Sequence, residues 1–349
     1  MRIIEADDEK ALERLLMRER GTDRAFERRV ASIVDRVRNG GESAVVLFAK
    51  RFDGVSPPLE ISPDDMRRGA ARVTPDVGRA IRQAARNISR VAARQVPKPF
   101  TVRIAPGVVV EQRVEPLARV GCYVPGGRFP LPSSLLMTAI PARVAGVREI
   151  IVVCPRPEPA VMAAALEAGV TRLFRVGGAH AIAALAYGAG IIPRVDKIVG
   201  PGNRYVAAAK ARVSGDCAID FYAGPTEIVI VAGRGRPDWI APDLVAQAEH
   251  DPDARSVFIT WSRALANRVV ERVRRLALGR DVVSQSIAQH GAVVLTRSAE
   301  CAMAMANRIA PEHLVVESER LVGGPVTAGA VFVGPYAAQA AGDYAIGSN

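Results

Sequence analysis

Two of the four histidines in the sequence directly follow a glutamate, in the dipeptides Glu249-His250 and Glu312-His313. An imidazole can serve as a metal ligand or as a proton carrier near neutral pH, and the adjacent carboxylate adds a second acid or base. A charge pair on a solvated surface is the simplest interpretation of a bare Glu-His dipeptide. Both dipeptides, however, lie at proline-marked breaks in an otherwise apolar pattern, so their surroundings carry further information.

The first dipeptide lies at the end of a predicted helix over 237–250, which Pro252 ends near His250. Gln247 and His250 are three positions apart, so their side chains share one face of the last turn, and Glu249 points elsewhere. The C-terminal end of a helix carries partial negative charge, which favours a cation. An amide oxygen is a weak zinc ligand, so such a metal site would be exchangeable and would face a substrate. A hydrogen-bonded histidine at a helix end is the alternative.

The second dipeptide lies between a helix that Pro311 ends and a predicted strand over 314–317. Glu312 and His313 are therefore expected in a constrained loop, where adjacent side chains can point apart and serve two separate proton transfers. Ligands usually bind at the carboxyl ends of parallel strands, whereas this loop precedes its strand, and its position therefore argues against function. A loop that only caps the strand is the alternative.

Glycine-rich strings offer backbone N–H groups that can meet phosphates or carboxylates where a strand ends or a helix begins. None of them has the Gly-x-Gly-x-x-Gly spacing, and the sequence has no Walker motif and no Gly-x-Ser-x-Gly elbow. Spacing alone is therefore a weak indication of nucleotide binding. The strings are GCYVPGGR (121–128), VGGAH (176–180), GPGNRY (200–205), AGPTE (223–227) and AGDYAIGSN (341–349).

Length and composition predict a cytoplasmic globular protein. The chain has 349 residues, enough for two or three domains, and its first residues are too charged for a secretory signal. No apolar run is long enough to span a membrane. The four cysteines are far apart and include no Cys-x-x-Cys, so we expect each to behave as a small buried apolar residue rather than as a zinc ligand or disulfide partner.

The net charge of +11 raises nucleic-acid binding as an alternative function. The arginines, however, are interleaved with apolar residues along helices, as in 67–95, and few aromatic residues are available to stack on bases. That spacing is typical of a solvated helix face. Attraction of an anionic substrate or cofactor is equally compatible with the charge.

Hydrophobic periodicity predicts helices over 7–39 and 63–95 and a β-hairpin over 101–113. After Gly121 short apolar strands alternate with helices, which indicates parallel sheets covered by helices. The pattern occurs twice and predicts two α/β lobes with a helical N-terminal extension. Strands are expected at 149–153, 172–176, 195–199, 227–231, 256–260, 292–296, 314–317 and 330–333, and helices at 159–168, 179–188, 237–250, 263–277 and 298–308.

Several strings together resemble the histidinol dehydrogenase family, in the order in which the family has them, over the whole chain. They are YVPGGR, PSSLLMTAIPARVAGV, VGGAHAIAALAYG, KIVGPGNRYV, AGPTEIVIVA, DLVAQAEHDPDA, APEHLVV and AGDYAIGSN. The resemblance implies oxidation of L-histidinol through histidinal to L-histidine, the last step of histidine biosynthesis, with two NAD reduced and one zinc per site. It also implies a homodimer.

The implied fold consists of two Rossmann-like parallel-sheet lobes, similar to those of aldehyde dehydrogenases. Residues 1–24 would be a helical extension. Residues 25–120 and 227–349 would form the lobe with zinc and the catalytic residues, and 121–226 the inserted lobe that contacts NAD.

The resemblance also implies a role for individual residues. Gln247, His250 and Asp343 match zinc ligands, and zinc there would hold the imidazole and amino groups of the substrate. His313 matches the base that takes the hydroxyl proton, and Glu312 matches the base that activates water against the aldehyde. Substrate contacts are expected from Thr226, Gln247, His250, His313 and Asp343, and NAD contacts from Tyr123, His180 and Asn203.

The sequence departs from the family at two places. His180 stands where the family usually has a glutamine near the cofactor. The sequence ends at Asn349, where the family continues with a segment that supplies a fourth zinc ligand and a substrate-binding glutamate, and His290 has no motif around it that would replace that ligand. We therefore expect weak zinc binding and slow turnover. The alternatives are a related dehydrogenase of another amino alcohol or a sulfonated diol, and a non-catalytic fragment.

Overall fold

The computed structural model describes residues 1–17, 23–126, 130–221 and 226–347, without the side chain of Asp343. The strands are β1 (Arg2–Glu5), β2 (Glu60–Ile61), β3 (Phe100–Ala105), β4 (Val108–Gln112), β5 (Arg119–Tyr123), β6 (Glu149–Val153), β7 (Arg172–Phe174), β8 (Lys197–Val199), β9 (Ala218–Ile219), β10 (Glu227–Val231), β11 (Arg255–Thr260), β12 (Ala292–Leu295), β13 (His313–Val316) and β14 (Ala330–Val333).

The α-helices are α1 (Glu9–Leu16), α2 (Arg24–Phe48), α3 (Pro63–Ala70), α4 (Pro75–Gln95), α5 (Pro132–Val144), α6 (Pro159–Ala168), α7 (Gly178–Tyr187), α8 (Arg204–Val213), α9 (Pro237–Ala248), α10 (Arg263–Ala277), α11 (Asp281–Gln289), α12 (Ala299–Ile309) and α13 (Gln339–Ala341). Short π-helical turns follow α2 at Ala49–Asp53 and α13 at Gly342–Ile346, and a 3₁₀ turn lies at Glu319–Val322.

A first parallel sheet, in the order β1-β12-β11-β10-β13-β14, forms the centre of one compact unit, to which the described residues of 1–17 and 226–342 belong. Its strands are nearly continuously apolar because helices cover both faces. Side chains of α9, α10 and α11 pack on one face, and those of α1 and α12 pack on the other. The chain runs from β10 to β11 and β12 on one side and later to β13 on the other. The strand order therefore reverses between β10 and β13.

A second sheet, in the order β2-β7-β6-β5-β8-β9, forms the centre of the other compact unit. Its strands are parallel apart from β2, which pairs antiparallel with β7. Helices α2, α7 and α8 cover one face, and α4, α5 and α6 cover the other. Here the strand order reverses between β5 and β8.

The two Rossmann-like sheets and the eight strands predicted from the sequence are confirmed, as is the hairpin β3–β4. The sequence did not reveal β5, α5, α8 or α11. It also assigned residues 1–24 to a helical extension, whereas β1 (Arg2–Glu5) pairs with β12 as a strand of the first sheet. A strand of four residues is too short to show a period of two, and its partner lies almost a whole chain length away.

The division into units differs from the predicted lobes. Residues 25–120 group with the second sheet and not with the residues after 226. The reason is packing, because α2 lies against α7 and α4 lies against α5, so both long helices cover faces of the second sheet.

The cysteines are all free, and three of them are buried as predicted. Burial raises the thiol pKa of Cys122 to about 12 and those of Cys154 and Cys217 to about 11. The prediction is wrong for Cys301, which is exposed on α12. No helix in the described ranges is long and apolar enough to cross a membrane.

A partly buried carboxylate on α9 should make the stability of the first unit depend on pH. Burial raises the pKa of Asp243 to about 6. An unfolded aspartate has a pKa of about 3.9, so the folded protein binds this proton more tightly, and its stabilising contribution is lost as pH rises from about 4 to about 6.

We expect Asp243→Asn to raise the free energy of unfolding at pH 8 by roughly 1 kcal/mol, a value discounted for partial exposure. At pH 4 the variant and the wild type should unfold at nearly the same urea concentration. Urea titrations followed by circular dichroism measure both. Glu319→Gln, which changes an exposed carboxylate, is the control. An Asp243→Asn gain that is equal at both pH values would contradict the titration.

Candidate active site

The amino ends of β10 and β13 lie side by side where the strand order of the first sheet reverses. Ile228 stands opposite His313 in the ladder, so Thr226 and Glu312, which immediately precede the two strands, meet at the same edge. The N–H group of Arg255 on β11 donates to the carbonyl of Thr226 at 2.9 Å and holds that residue in place. The sheet register thus brings together two sequence strings that are more than eighty residues apart.

The Glu312 carboxylate is held by two donors and is exposed. The hydroxyl of Thr226 donates to Glu312 Oε2 at 2.7 Å, and the N–H group of Glu227 lies 3.3 Å from the same oxygen. An oriented carboxylate open to solvent is suited to accept a proton from water.

Gln247, in the last turn of α9, brings an unpaired carbonyl to this edge. The side chain is only 1% exposed, and its Nε2 group donates to the Thr226 hydroxyl oxygen. The other amide atom, Oε1, is buried and has no hydrogen-bond partner among the described residues. A buried acceptor without a donor is costly, and the end of α9 carries partial negative charge. Both features suit a cation ligand.

His250 follows α9 in a turn, since the helix ends at Ala248, two residues earlier than predicted. Its N–H group donates to the carbonyl of Gln247 at 3.3 Å, and its side chain is exposed. Asp343 lies in the π-helical turn after α13, and its side chain is outside the described part of the structure. Two of the three predicted ligands thus lie at the end of one helix. The described residues contain no cluster of three or more His, Cys, Asp or Glu side chains that could hold a metal.

His313 is the first residue of β13. The prediction that Glu312 and His313 both lie in a loop after Pro311 is therefore wrong for His313. The imidazole is 5% exposed and packs edge-on against the Phe332 ring, with centroids 5.9 Å apart. Its Nδ1 atom lies 3.4 Å from the side-chain nitrogen of Gln339 on α13. The two adjacent residues therefore differ in environment, because Glu312 faces solvent and His313 is enclosed.

Sequence reasoning did not identify three of the residues that support this edge. Glu227 and Arg255 form an ion pair at 3.1 Å with both side chains largely buried, and the Arg255 guanidinium also donates to the carbonyl of Leu15. Glu227 belongs to the glycine-rich string AGPTE, which could have marked it as a residue near a binding site. Gln339 stands among alanines, a context without any chemical signal.

In the second unit, the carboxyl ends of β5 and β8 adjoin where the strand order reverses, the usual place for a ligand in an open α/β sheet. Tyr123 ends β5, and Gly200 directly follows β8. A side chain at Gly200 would lie 2.3 Å from the Tyr123 carbonyl oxygen, so only glycine fits. Asn203 caps α8 by accepting hydrogen bonds from the N–H groups of Tyr205 at 3.0 Å and Val206 at 3.2 Å.

A buried ion pair supports this glycine loop. Lys210 Nζ donates to the carbonyl of Gly200 at 3.0 Å and to Asp220, whose other carboxylate oxygen accepts from the N–H group of Gly200 at 2.7 Å. Lys210 is buried, so removing either partner would leave a charge in a poorly solvated place. Both backbone polar groups of Gly200, in the loop between β8 and α8, are thus held by this ion pair.

The first N–H groups of α7 are satisfied inside the protein. Asp53 Oδ2 accepts from the N–H group of Gly177 and pairs with His180 Nε2, each at 2.9 Å, and the Tyr123 hydroxyl accepts from the N–H group of Gly178 at 3.1 Å. Tyr123 and His180 are buried, and burial raises the pKa of Tyr123 to about 12. Of the three predicted cofactor contacts, only Asn203 has an exposed side chain.

Parts of three glycine-rich strings lie outside the described residues, namely 127–128, 223–225 and 348–349. Sequence reasoning also did not identify Asp53, the partner of His180. Asp53 lies just after a helix end with charged residues and is more than a hundred positions from His180, so no local pattern indicates the contact.

Comparison with known proteins gives a consistent result. The family model described as histidinol dehydrogenase matches residues 16–349. A histidinol dehydrogenase from Methylococcus capsulatus is 44% identical over 360 residues, which cover 99% of this chain and 83% of that protein. One from Aquifex aeolicus is 42% identical over 348 residues, which cover 97% and 82%.

A solved structure agrees with the sequence relatives. The crystal structure of histidinol dehydrogenase from Elizabethkingia anophelis superposes with a TM-score of 0.93 at 30% identity, and the match covers 100% of this chain and 84% of that one. The chain therefore belongs to the histidinol dehydrogenase family.

Proposed function

We propose that this protein oxidises L-histidinol through histidinal to L-histidine, with NAD as oxidant and zinc in the site. The observation that carries the proposal is the cluster at the amino edge of the first sheet. There the Thr226 hydroxyl bonds both the Glu312 carboxylate and the Gln247 amide, whose oxygen has no hydrogen-bond partner among the described residues, and the enclosed imidazole of His313 follows Glu312 in the chain. The names of the relatives supply the substrate, and histidine biosynthesis is the process that the name implies.

The residues at the end of α9 fit a zinc ion. Gln247 Oε1 would be one ligand, since it is buried without a donor among the described residues, and His250 and Asp343 would be the others. Bound zinc would hold the imidazole and amino groups of the substrate in place and stabilise negative charge developing on it. The helix C-terminus adds favourable partial charge.

Two side chains of this protein would accept the protons released in the two oxidations. His313 takes the hydroxyl proton of histidinol as a hydride leaves carbon, which gives the aldehyde. Glu312 takes a proton from water as that water adds to the aldehyde, and the hydrate then loses a second hydride and a proton to become the carboxylate. Alcohol, water and two NAD⁺ give carboxylate, two NADH and three protons. Adjacent residues in unlike environments suit two proton transfers at different stages.

The crevice between β5 and β8 supports NAD binding in the second unit. NAD⁺ supplies the hydride acceptor for each oxidation. We propose that Asn203, exposed at the start of α8, contacts the cofactor directly, and that Tyr123 borders the crevice through the Gly200 peptide. His180 stays a predicted contact, but its burial against Asp53 supports an indirect role, in which it fixes the start of α7.

We also propose that the protein is a homodimer that works in the cytoplasm. The hairpin β3–β4 forms a separate two-stranded sheet in which every residue is exposed, and Phe100, Val102, Ile104, Val108 and Val110 share one face. An isolated hairpin is marginally stable, and such an apolar face usually marks an interface. A second copy would cover it. Four free cysteines are typical of a reducing compartment.

The proposed function predicts that the wild type reduces two NAD for each L-histidinol consumed, measured by absorbance of NADH and by product analysis. Glu312→Gln should keep the first oxidation within a few-fold and slow the second by about 100-fold or more, because the amide cannot take the proton from water. One NADH and accumulated histidinal should result.

Glu319→Gln removes an exposed carboxylate elsewhere in the same unit and should leave the stoichiometry unchanged. If Glu312→Gln slowed both oxidations equally, the assignment of Glu312 to the hydration step would be wrong. A wild type that reduces no NAD with histidinol would overturn the proposed function itself.

The zinc assignment predicts that Gln247→Met binds zinc at least tenfold more weakly than the wild type, because methionine has a similar shape but lacks the buried amide oxygen. Zinc retained after dialysis at a series of free zinc concentrations is the measurement, and it does not depend on turnover. Gln289→Met, at an exposed position on α11, is the matched control. Equal zinc affinity in both variants would exclude Gln247 as a ligand.

The dimer proposal predicts that Ile104→Lys shifts the protein to a monomer at micromolar concentration, because a charge on the apolar face of the hairpin would be buried without a partner. Thr101→Lys, on the opposite face, should remain dimeric. Sedimentation equilibrium gives the mass of each variant. A monomeric wild type, or an equal effect of both substitutions, would contradict the proposed interface.

A further inference from the structure

We propose that Thr226 is a positioning residue, whose hydroxyl holds the amide nitrogen of Gln247 and thereby leaves the amide oxygen to bind zinc. This inference rests on the proposed function, in which that oxygen is a zinc ligand. A chain of hydrogen bonds runs from the Gln247 amide through the Thr226 hydroxyl to the Glu312 carboxylate. Thr226 thus acts on the metal through Gln247, without a contact of its own.

The Glu312 end of the chain sets its direction. The Thr226 hydroxyl donates to Glu312 Oε2 at 2.7 Å, and the N–H group of Glu227 donates to the same oxygen at 3.3 Å. A threonine hydroxyl has only one hydrogen to give. Because Glu312 receives that hydrogen, the hydroxyl oxygen can only accept from its other neighbours.

The Gln247 amide must therefore present its nitrogen to Thr226, and Nε2 does donate to the hydroxyl oxygen. The oxygen and nitrogen of an amide have nearly the same shape, so packing around this buried side chain does not choose between its two orientations. The hydrogen bond makes the choice, because the opposite orientation would set the amide oxygen against the lone pairs of the hydroxyl. Oε1 is left buried, without a hydrogen-bond partner among the described residues.

The sheet holds the hydroxyl in place before any metal arrives. The carbonyl of Thr226 accepts from the N–H group of Arg255 at 2.9 Å, so the residue is tied to β11 as well as to Glu312. A buried acceptor without a donor is costly, and an amide that could rotate would be able to relieve that cost. Thr226 opposes the rotation. The same chain leaves Thr226 no hydrogen for a substrate, so the contact predicted from the sequence is restricted to a lone pair.

Zinc binding to the full-length protein tests this role without turnover, by equilibrium dialysis against a series of free zinc concentrations. Thr226→Val has the shape of threonine without the hydroxyl, and it should bind zinc at least tenfold more weakly, as is usual when the support of a metal ligand is removed. Thr226→Ser keeps the hydroxyl and should restore the wild-type affinity. Thr327→Val, at an exposed threonine of the same unit, is the control. Wild-type zinc affinity in Thr226→Val would overturn the proposal.

A double-mutant cycle shows whether Thr226 acts through Gln247. Gln247→Met removes the amide that Thr226 orients, so the addition of Thr226→Val to Gln247→Met should weaken zinc binding no further. A residue that touched zinc itself, or that only kept this edge of the sheet folded, would weaken binding by the same factor in both backgrounds. An equal factor in the two backgrounds would therefore also overturn the proposal.

Two substitutions of Glu312 test the direction of the chain, and both remove its carboxylate. Glu312→Gln keeps an oxygen that can accept from Thr226. Glu312→Met keeps none, so the hydroxyl can donate to Gln247 Oε1 and the amide can rotate. Glu312→Met should therefore bind zinc several-fold more weakly than Glu312→Gln. Equal affinities would contradict the chain, and this pair supplies the test if circular dichroism melts show that Thr226→Val is misfolded.

The zinc measurements separate this inference from the proposed function. If the wild type binds zinc but does not oxidise histidinol, the proposed function fails, and the Thr226 variants still decide the positioning role. If the wild type binds zinc and oxidises histidinol while Thr226→Val keeps its zinc, the function stands and the positioning role is wrong. A wild type that binds no zinc would overturn both the zinc assignment and this inference.

Discussion

The pairing of β10 with β13, with Ile228 opposite His313, places the Thr226 hydroxyl 2.7 Å from the Glu312 carboxylate. The contacts that Thr226 and Glu312 share at this edge of the sheet depend on that register. Gln247 donates to the same hydroxyl from the end of α9, and the Glu227 N–H group at the start of β10 donates to the Glu312 carboxylate. A slip of one residue would reverse which side chains face each helix layer, so the apolar packing on both faces fixes the position of the polar groups.

The candidate site lies at the amino edge of the first sheet, which is unusual for an open α/β fold, and the contacts at the carboxyl edge suggest a physical reason. At the carboxyl edge, beside the same strand reversal, the carboxylate of Glu317 accepts from the N–H groups of Gly233 and Arg234, each at 2.9 Å. A ligand's anionic group would need those donors. The amino edge instead receives the C-terminal end of α9, whose partial charge favours a cation. In the second unit, the glycine loop after β8 lies at the carboxyl edge beside the strand reversal, which is the usual place for a ligand.

The sequence predicted most strands because apolar runs flanked by glycine or proline are local signals, as at 227–231 and 292–296. It missed features that depend on distant partners. Arg2–Glu5 becomes a strand only through β12, and Asp53 gains its meaning only through His180.

The candidate site shows the same distinction. Glu312 and His313 were predicted from their own string, and Gln247 from helical spacing. Gln339 and Arg255 act through contacts that no local pattern indicates. Glu312 and His313 stand before a strand and not after one, and at the opposite edge Glu317 already accepts from the backbone donors of Gly233 and Arg234.

Two of the most deeply buried polar side chains at the amino edge of the first sheet are neutral amides, and their neutrality has a physical reason. Gln247 and Gln339 are both 1% exposed, and a carboxylate at either place would carry a desolvated charge until a cation or an imidazolium arrived. An amide can face a cation with its oxygen and a hydroxyl with its nitrogen, without a change in protonation. The carboxylate of Glu312 is exposed to solvent. The two buried amides therefore stay uncharged whatever the protonation of the groups around them, and the buried Glu227–Arg255 pair carries no net charge.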